Sequence, residues 1–318
     1  MKILSTVKMP IEFKQKLEDQ FSEDVTFLHD RKMNKVDKEL TEADVILTYG
    51  EDMTSEHIQN AKNLKWIMVA SAGIEKMPFE ELEKRNILVT NAKGVHKTPM
   101  AEYCLAMMLQ ISRQAKRLAE NQRDQKWDRR VEMQELYGKT LLVIGAGAIG
   151  SEISRMANAF GMSTIGLNQN GQDVGCFDET YPLSQLDYLL SGADFVISVL
   201  PSTEKTKGIL TYEQFKKMKN TAIFINIGRG DVLIEKDLIA ALNEGEIHHA
   251  VLDVFIKEPL EREHPFWSMG NVTVTPHLSG ITNEYLPRAF EIFKQNLSLF
   301  LNGTHDQMRN IINLNRRY

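Results

Sequence analysis

The fold of this chain is decided by residues 141–162, which read LLVIGAGAIGSEISRMANAFGM. The apolar run Leu141–Ile144 is typical of a strand that is buried on both faces. The sequence GAGAIG follows at once, at 145–150, and apolar residues then recur at helical spacing up to Phe160. The stretch therefore predicts a strand, a tight glycine turn and a helix, with Gly161 just past the helix end.

Three glycines in this turn, Gly145, Gly147 and Gly150, form the pattern GxGxxG. The pyrophosphate of a dinucleotide approaches backbone N–H groups at a helix N-terminus, where a Cβ blocks the turn, the ligand or the helix–strand packing. The pattern alone is weak evidence, because glycine-rich turns also occur for purely conformational reasons. Placed between a strand and a helix, it predicts a dinucleotide-binding site.

The composition is that of an ordinary globular protein. Its 318 residues suggest about two domains of ~150 residues each. With 25% charged residues and a net charge of −5, the chain has no basic excess for holding nucleic acid or an anionic membrane. No apolar run approaches the ~18 residues of a membrane span, and the N-terminus lacks the apolar core of a secretory signal. We expect a cytoplasmic protein that binds neither nucleic acid nor membrane.

The two cysteines, Cys104 and Cys176, are too few for a disulfide framework. They lack metal-ligand spacing, so we expect no metal site. Cys104 lies on the apolar stripe of a helix predicted to begin at Thr98-Pro99, with Thr98 as N-cap and Pro99 in the first helical position. We interpret Cys104 as a buried core thiol, and the charged residues at 113–130 as a solvated helix face.

Residues 1–98 alternate between short apolar runs and amphipathic segments, which predicts a small α/β unit. Strands are expected at Lys2–Ser5, Val45–Thr48, Leu64–Val69 and Ile87–Thr90, with helices near Pro10–Phe21 and Ser55–Ala61. Ser71-Ala72-Gly73 follows the third of these strands. It is either a loop that presents backbone N–H groups to an anion or a simple turn.

From Thr140 to Val274 strands and helices alternate, which predicts a Rossmann-type doubly wound parallel sheet. Further strands are expected at Ser163–Leu167, Phe195–Leu200, Ala222–Ile227, Ala250–Val254 and Val272–Thr275, and helices at Ser184–Leu190, Thr211–Lys217 and Glu235–Asn243. The amphipathic helix Tyr285–Leu301 is assigned to the first unit. The expected domains are therefore 1–98 with 285–318 (substrate domain) and 99–284 (dinucleotide-binding domain).

Three polar residues each follow a strand of the second unit: Arg229, Glu258 and His277. Singly, each has an ordinary explanation as a surface charge, a turn residue or a structural histidine. The carboxyl ends of parallel strands share one sheet edge, however, and ligands bind there. Hydride exchange with a 2-keto acid needs a guanidinium for the carboxylate and carbonyl, a proton donor that titrates near neutrality, and a carboxylate to orient it. These residue types suit those tasks.

The motifs together resemble the D-isomer-specific 2-hydroxyacid dehydrogenase family, nearly end to end. They are Leu136–Thr140, Leu200-Pro201 with Thr203, Asn226–Gly230, Leu252–Pro259 and Thr275–Gly280. The resemblance implies a flavodoxin-like substrate domain built from both chain ends, a hinge and a homodimer.

The resemblance also implies residue roles. Arg229, Glu258 and His277 take the family's catalytic positions, and Ser71, Ala72 and Gly73 take those of the loop that binds the substrate carboxylate. The cofactor-binding residues expected on this basis are Gly145, Gly147, Ala148, Ile149, Gly150, Asn168, Leu200, Pro201, Ile227, Gly228, Asp253 and Gly280.

One departure concerns the cofactor. Where an NAD-dependent member carries an acid for the ribose 2′-hydroxyl, this chain has Asn168-Gln169-Asn170, with no Arg or Lys nearby. We therefore expect NAD(P), with NADP slightly favoured or dual use. The end at Tyr318 leaves no room for a regulatory domain, which indicates a short-form reductase of a small 2-keto acid.

A second hypothesis is a dinucleotide-sensing protein on the same fold, which binds protein partners and turns over little. The fold alone does not separate it from an enzyme. The chain lacks an extended low-complexity tail for recruitment, and the presence of Arg229, Glu258 and His277 favours the enzyme.

Overall fold

The computed structural model describes residues 1–21, 25–29, 36–74 and 76–314. The chain divides into a first unit, Met1–Val95 with Thr282–Tyr318, and a second unit, His96–Ile281. The boundaries between the units lie after residues 95 and 281, three residues before the expected ones at 98 and 284. In the described part of the chain, no helix is both long enough and apolar enough to cross a membrane.

The first unit contains a parallel sheet of five strands. They are β1 (Lys2–Ser5), β2 (Thr26–His29), β3 (Val45–Thr48), β4 (Trp66–Val69) and β5 (Leu88–Asn91). Their order, β2-β1-β3-β4-β5, is that of flavodoxin-like sheets. The described residues before 95 also form the α-helices α1 (Ile11–Phe21), α2 (Asp37–Glu42), α3 (Ser55–Asn60) and α4 (Phe79–Lys84).

The second unit contains a parallel sheet of seven strands. They are β6 (Thr140–Ile144), β7 (Ser163–Asn168), β8 (Glu179–Pro182), β9 (Phe195–Ser198), β10 (Ile223–Asn226), β11 (His249–Leu252) and β12 (Val272–Val274). The order is β12-β11-β10-β9-β6-β7-β8, so the direction of winding reverses between β6 and β9. This confirms the predicted Rossmann-type sheet, in which ligands bind at that reversal.

Strand β6 is buried on both faces, as its apolar run predicted. Leu141 and Val143 belong to one hydrophobic cluster, and Leu142 and Ile144 belong to another. All four side chains are 0% exposed. Successive side chains of a strand point to opposite faces, so β6 lies at the centre of the unit, with a core on each side.

The helices of the second unit are α5 (Lys97–Ser112), α6 (Ala115–Arg123), α7 (Ala148–Ala159), α8 (Leu186–Leu189), α9 (Tyr212–Lys217) and α10 (Glu235–Glu244). The prediction of Thr98 as N-cap is wrong, because α5 begins at Lys97 and its N-cap is His96. Proline fits anywhere in a first turn, where N–H groups lack intrahelical partners, so Pro99 did not mark the first residue. The helix expected at Ser184–Leu190 is a short α8 flanked by 3₁₀ turns.

The last helix, α11 (Tyr285–Leu301), has the predicted bounds and belongs to the first unit. Its Phe293 ring stacks on the Trp66 ring of β4, with centroids 5.4 Å apart. Both side chains are 0% exposed, so the C-terminal helix completes the core of the N-terminal sheet. In the second unit Cys104 is 0% exposed, and burial raises the pKa of its thiol, as expected of a core cysteine.

Candidate active site

The glycine turn follows β6 directly and leads into α7. Gly145 has φ +115°, a conformation that side chains rarely adopt. The N–H groups of Gly145 and Ala146 donate to the Leu167 carbonyl of β7, at 2.9 and 2.8 Å. Gly147 is the N-cap of α7 and has no side chain to satisfy the first N–H groups of that helix. Those N–H groups are therefore available to an anion.

The other two glycines differ in what surrounds them. A Cβ at Gly150 would lie 2.4 Å from the Gly145 carbonyl oxygen, so glycine there permits close packing of helix and strand. A Cβ at Gly147 would meet nothing within 4 Å. The fold itself thus tolerates a side chain at Gly147, and the open space lies beside the N–H groups of Ala148 and Ile149. A dinucleotide pyrophosphate fits this arrangement of donors and space.

At the end of β7 the side chain of Asn168 is used within its own loop. Its Oδ1 accepts from the N–H groups of Asn170 and Gln172, both at 3.1 Å, and its Nδ2 donates to the Gln172 carbonyl at 2.6 Å. An aspartate in the same conformation would place a carboxylate oxygen against that carbonyl. The loop is therefore built around an amide, and one Nδ2 hydrogen is left for a ligand.

The ends of β9 and β10 lie against each other beside the glycine turn. A Cβ on Gly228 would meet the Leu200 carbonyl oxygen at 2.5 Å, and a Cβ on Gly145 would meet the Val199 backbone at 3.2 Å. Leu200 and Ile227 are 7% and 2% exposed, whereas Pro201 is exposed. The expected cofactor residues of these two strands therefore adjoin the turn.

Arg229 follows the end of β10 and is exposed. The turn that carries it is held by Asn226, whose Nδ2 donates to the Arg229 carbonyl at 3.0 Å and whose Oδ1 accepts from Gly228 at 3.2 Å. The guanidinium Nη1 donates to the Gly228 carbonyl at 2.8 Å. That single bond leaves the other guanidinium N–H groups to bind an anion.

The Arg229 turn packs against the segment that carries Glu258. A Cβ on Gly230 would lie 2.0 Å from the carbonyl carbon of Phe255. The Phe255 N–H in turn donates to Oε1 of Glu258 at 3.0 Å. Backbone contact and hydrogen bond together place the two loops side by side at the sheet edge.

Glu258 and His277 form a hydrogen-bonded pair. Oε2 of Glu258 lies 2.8 Å from Nδ1 of His277, and the two side chains are 36% and 52% exposed. Because an ionised carboxylate only accepts hydrogen bonds, Nδ1 carries the proton and Nε2 points away from Glu258. The ring is thus oriented, with its second nitrogen available for proton transfer.

Asp253 follows β11 and holds the loop that contains His277. Its carboxylate is buried, at 0% exposed. Oδ1 accepts from the Leu278 N–H and Oδ2 from the Ser279 N–H, both at 2.9 Å, while the Asp253 carbonyl accepts from the His277 N–H at 2.9 Å. Asp253 was expected to contact the cofactor. In the structure its carboxylate and carbonyl oxygens accept hydrogen bonds from the backbone of residues 277–279.

The final expected cofactor residue, Gly280, lies against a histidine that the sequence analysis did not single out. Nδ1 of His96 is 3.3 Å from the Gly280 carbonyl oxygen, and a Cβ on Gly280 would come within 3.0 Å of that nitrogen. Burial lowers the pKa of His96. No spacing or motif in the sequence connected residues 96 and 280.

In the first unit the loop at 71–73 follows β4. The carbonyl oxygens of residues 70–73 each accept a hydrogen bond, in order from the Tyr285 hydroxyl at 2.6 Å, the Ala92 N–H at 3.0 Å, the Asn91 side chain at 2.7 Å and the Ser71 hydroxyl at 2.7 Å. Burial raises the pKa of Tyr285 to about 12, so its hydroxyl stays a donor. With its carbonyl groups engaged, the loop offers N–H groups to an anion.

The described residues contain no group of three or more His, Cys, Asp or Glu side chains placed to hold a metal ion.

Residues 105–279, more than half of the chain, match the family model of the D-isomer specific 2-hydroxyacid dehydrogenase NAD binding domain. The chain belongs to this family. One family member, glyoxylate/hydroxypyruvate reductase B of Klebsiella pneumoniae subsp. pneumoniae, is 32% identical over 93% of each chain. Another, D-3-phosphoglycerate dehydrogenase of Methanocaldococcus jannaschii, is 34% identical over 87% of this chain, which spans only 53% of that longer enzyme.

The structure is also similar to the crystal structure of a D-isomer specific 2-hydroxyacid dehydrogenase family protein from Aeromonas salmonicida subsp. salmonicida. The match has a TM-score of 0.84 and 29% identity, and covers 98% of this chain and 99% of the other. The chain is therefore an NAD(P)-dependent oxidoreductase of the 2-hydroxyacid dehydrogenase family.

Proposed function

We propose that the protein reduces a small 2-keto acid, and oxidises the corresponding D-2-hydroxy acid, with Arg229, Glu258 and His277 as its catalytic residues. The observation that carries the proposal is the 2.8 Å pair of Glu258 and His277 at the sheet edge that holds the glycine turn. A nicotinamide dinucleotide, when bound, supplies or accepts the hydride. The N–H groups at the start of α7 and the open space at Gly147 would hold its pyrophosphate.

Arg229 binds the substrate's carboxylate and carbonyl oxygens. A guanidinium presents coplanar donors that match a carboxylate, which a lysine does not. Because Asn226 fixes the Arg229 backbone and Gly228 accepts one guanidinium N–H, the group is held in place before substrate arrives. Such preorganised charge stabilises the negative oxygen that develops as hydride reaches the carbonyl carbon.

His277 donates the proton that this oxygen takes up, and it removes the proton in the reverse direction. The orientation of the ring by Glu258 leaves Nε2 as the transferring atom. The carboxylate also stabilises the imidazolium form that donates. In the first unit, we extend the proposal to Ser71, Ala72 and Gly73, whose N–H groups would bind the substrate carboxylate.

NADP(H) is accepted at least as well as NAD(H). Residues 168–172 carry no carboxylate to repel a 2′-phosphate, the first one being Asp173, and the bond from Nδ2 of Asn168 to Gln172 is one that only an amide makes. The measurement is kcat/KM for NADPH and for NADH at a fixed saturating keto acid. A strong preference for NADH would contradict this part of the proposal.

The protein assembles as a homodimer. Residues 124–139, after α6, contain no helix or strand and expose large apolar side chains. Trp127, Met133 and Tyr137 are 91%, 42% and 76% exposed, which favours burial against a second copy. Light scattering coupled to gel filtration reports the mass in solution, and a monomer at micromolar concentration would contradict the assembly.

The test of the reaction is NADPH or NADH oxidation, followed by absorbance, with glyoxylate, hydroxypyruvate, pyruvate, 2-ketoisocaproate and phenylpyruvate. We expect His277→Ala to lower kcat by about 10²–10⁴-fold and to leave cofactor affinity nearly unchanged. His248→Ala is the matched control, since His248 is exposed and precedes β11, at the opposite sheet edge. Tight cofactor binding without reduction of any of these keto acids would refute the proposal and support a dinucleotide-sensing protein.

A further inference from the structure

The hydroxyl of Tyr103 is buried in the second unit and has no part in the reaction described above. Tyr103 lies on α5 and is 9% exposed. Its hydroxyl oxygen is 2.6 Å from Oγ1 of Thr275, a residue 172 positions away in sequence. Oγ1 of Thr275 is in turn 2.6 Å from Oδ1 of Asp253. The three side chains form one continuous chain of short hydrogen bonds.

The direction of these bonds follows from the donor inventory. The Thr275 hydroxyl donates to Oδ1 of Asp253, and this bond uses its single proton. Tyr103 must then donate to Thr275. Burial and the negative charge of Asp253 raise the pKa of Tyr103. Tyr103 therefore keeps its proton and remains a donor throughout the working pH range.

The far end of this chain of bonds is the loop of the proton donor. Besides Thr275, Asp253 accepts from Leu278 and Ser279, and its carbonyl accepts from His277. His277 has φ +52°, a left-handed conformation that a non-glycine residue adopts only when its surroundings impose it. Hydrogen bonds to Asp253 hold the backbone on both sides of this conformation, and Thr275 and Tyr103 extend the network that orients Asp253.

We propose that Tyr103 is a positioning residue for His277, acting through Thr275 and Asp253. The Tyr103 hydroxyl fixes the Thr275 rotamer, so that Oδ1 of Asp253 accepts from both the Thr275 hydroxyl and the Leu278 N–H. The backbone at 277–279 then stays in the conformation that places the His277 ring on Glu258. The kinetic part of this inference rests on the proposed role of His277.

The first test is Tyr103→Phe, which removes only the hydroxyl. We expect kcat to fall about tenfold, while KM for the keto acid and Kd for NADPH change by less than about twofold. Tyr188→Phe is the control, because Tyr188 is in the same unit and 76% exposed. An unchanged kcat in Tyr103→Phe, or a fall in thermal stability or cofactor affinity that accounts for the lost activity, would overturn the proposal.

Thr275 provides a second test, because it links the tyrosine to the aspartate. Thr275→Val should lower kcat more than Tyr103→Phe does, and Thr275→Ser should restore most of that loss because it keeps the hydroxyl. If Tyr103 acts through Thr275, adding Tyr103→Phe to Thr275→Val lowers kcat no further. Losses that multiply in the double variant would contradict the relay.

A third measurement does not depend on turnover. In protein labelled with ¹³C at histidine Cε1, the eight histidines give eight signals, and His277 is assigned by the signal that His277→Asn removes. Tyr103→Phe should shift or broaden the His277 signal and leave that of the exposed His248 in place. If the His277 signal does not move, the positioning role of Tyr103 is overturned, whether or not the wild type reduces a keto acid. If the wild type reduces no keto acid, only the proposed function is overturned.

Discussion

Replacing Glu258 with glutamine separates the charge of this side chain from its shape. Glu258 uses both oxygens, Oε2 for His277 at 2.8 Å and Oε1 for Phe255 at 3.0 Å. A glutamine has one oxygen and one NH₂, so one of the two N–H donors loses its acceptor. A hydrogen bond to a charged group contributes about 1.5–3 kcal/mol, and partial exposure places this pair at the lower end.

These values predict two separate effects of Glu258→Gln. The imidazolium loses about 1.5 kcal/mol of stabilisation, which lowers kcat about tenfold. The unsatisfied donor lowers the free energy of unfolding by about 1 kcal/mol. Glu261→Gln is the control, since Glu261 is a nearby exposed glutamate that pairs with Lys257 instead of His277.

The assay is steady-state kcat at saturating NADPH and keto acid, with NADPH affinity measured separately by fluorescence. Urea unfolding gives the stability of each variant. If Glu258→Gln retains kcat within about twofold of the Glu261→Gln control, the carboxylate is not stabilising a charged imidazole and the assigned role is wrong. A loss of cofactor affinity as large as the loss of kcat would equally refute the reasoning.

The remaining predictions concern the glycine turn and the opposite edge of the second sheet. Gly147→Ala should fold like the wild type, because its Cβ meets nothing within 4 Å, and should bind NADPH at least about tenfold more weakly. Gly150→Ala should unfold at lower temperature, because its Cβ meets backbone at 2.4 Å; equal thermal stability of the two variants would contradict this division. The pKa of Asp194 is lowered because, although burial raises it, hydrogen bonds from Thr140 and Lys219, each at 2.9 Å, outweigh burial. Its stabilisation is therefore present above the unfolded pKa of about 3.9 and is lost as pH falls through the lower folded value, so Asp194→Asn should cost about 1 kcal/mol in urea unfolding at pH 7 and progressively less as pH falls through that range.

The sequence predicted the central strands of both sheets because strands buried on both faces are continuous apolar runs. Its errors at their ends have a physical cause. Phe195–Leu200 was expected as a strand, but β9 ends at Ser198, and Leu200 beyond it is still only 7% exposed. Hydrophobicity reports burial, whereas a strand ends where its backbone pairing ends.

Two strands, β2 and β8, and two helices, α2 and α4, were missed. β2 and β8 lie at the edges of their sheets, where each strand has one neighbour, and β8 reads ETYP, with partly exposed side chains. Helices α2 and α4 have six residues each, less than two turns, so neither shows a repeated apolar stripe. Periodicity detects elements that are long enough or central enough to repeat an apolar pattern, and these four elements are short or lie at a sheet edge.

The site was predictable as far as each residue could be tied to the end of a strand. Arg229, Glu258 and His277 were predicted in that way, and their catalytic roles stay predictions. What positions them was not, because it depends on side chains distant in sequence. Tyr103 stands next to Cys104 in the sequence and was assigned no role in the site, and only the fold brings its hydroxyl to Thr275.

The conformation of His277 bears on the choice between an enzyme and a dinucleotide sensor. A left-handed φ of +52° at a non-glycine residue costs about 1 kcal/mol, and glycine would avoid that cost. Asp253 offsets it with hydrogen bonds to Leu278, Ser279 and the His277 backbone. Holding a dinucleotide requires the glycine turn and the start of α7, neither of which needs an imidazole in this conformation. The surrounding structure maintains backbone strain at His277, and the Glu258 carboxylate holds its ring. This combination is expected where the imidazole transfers a proton, and it favours the enzyme.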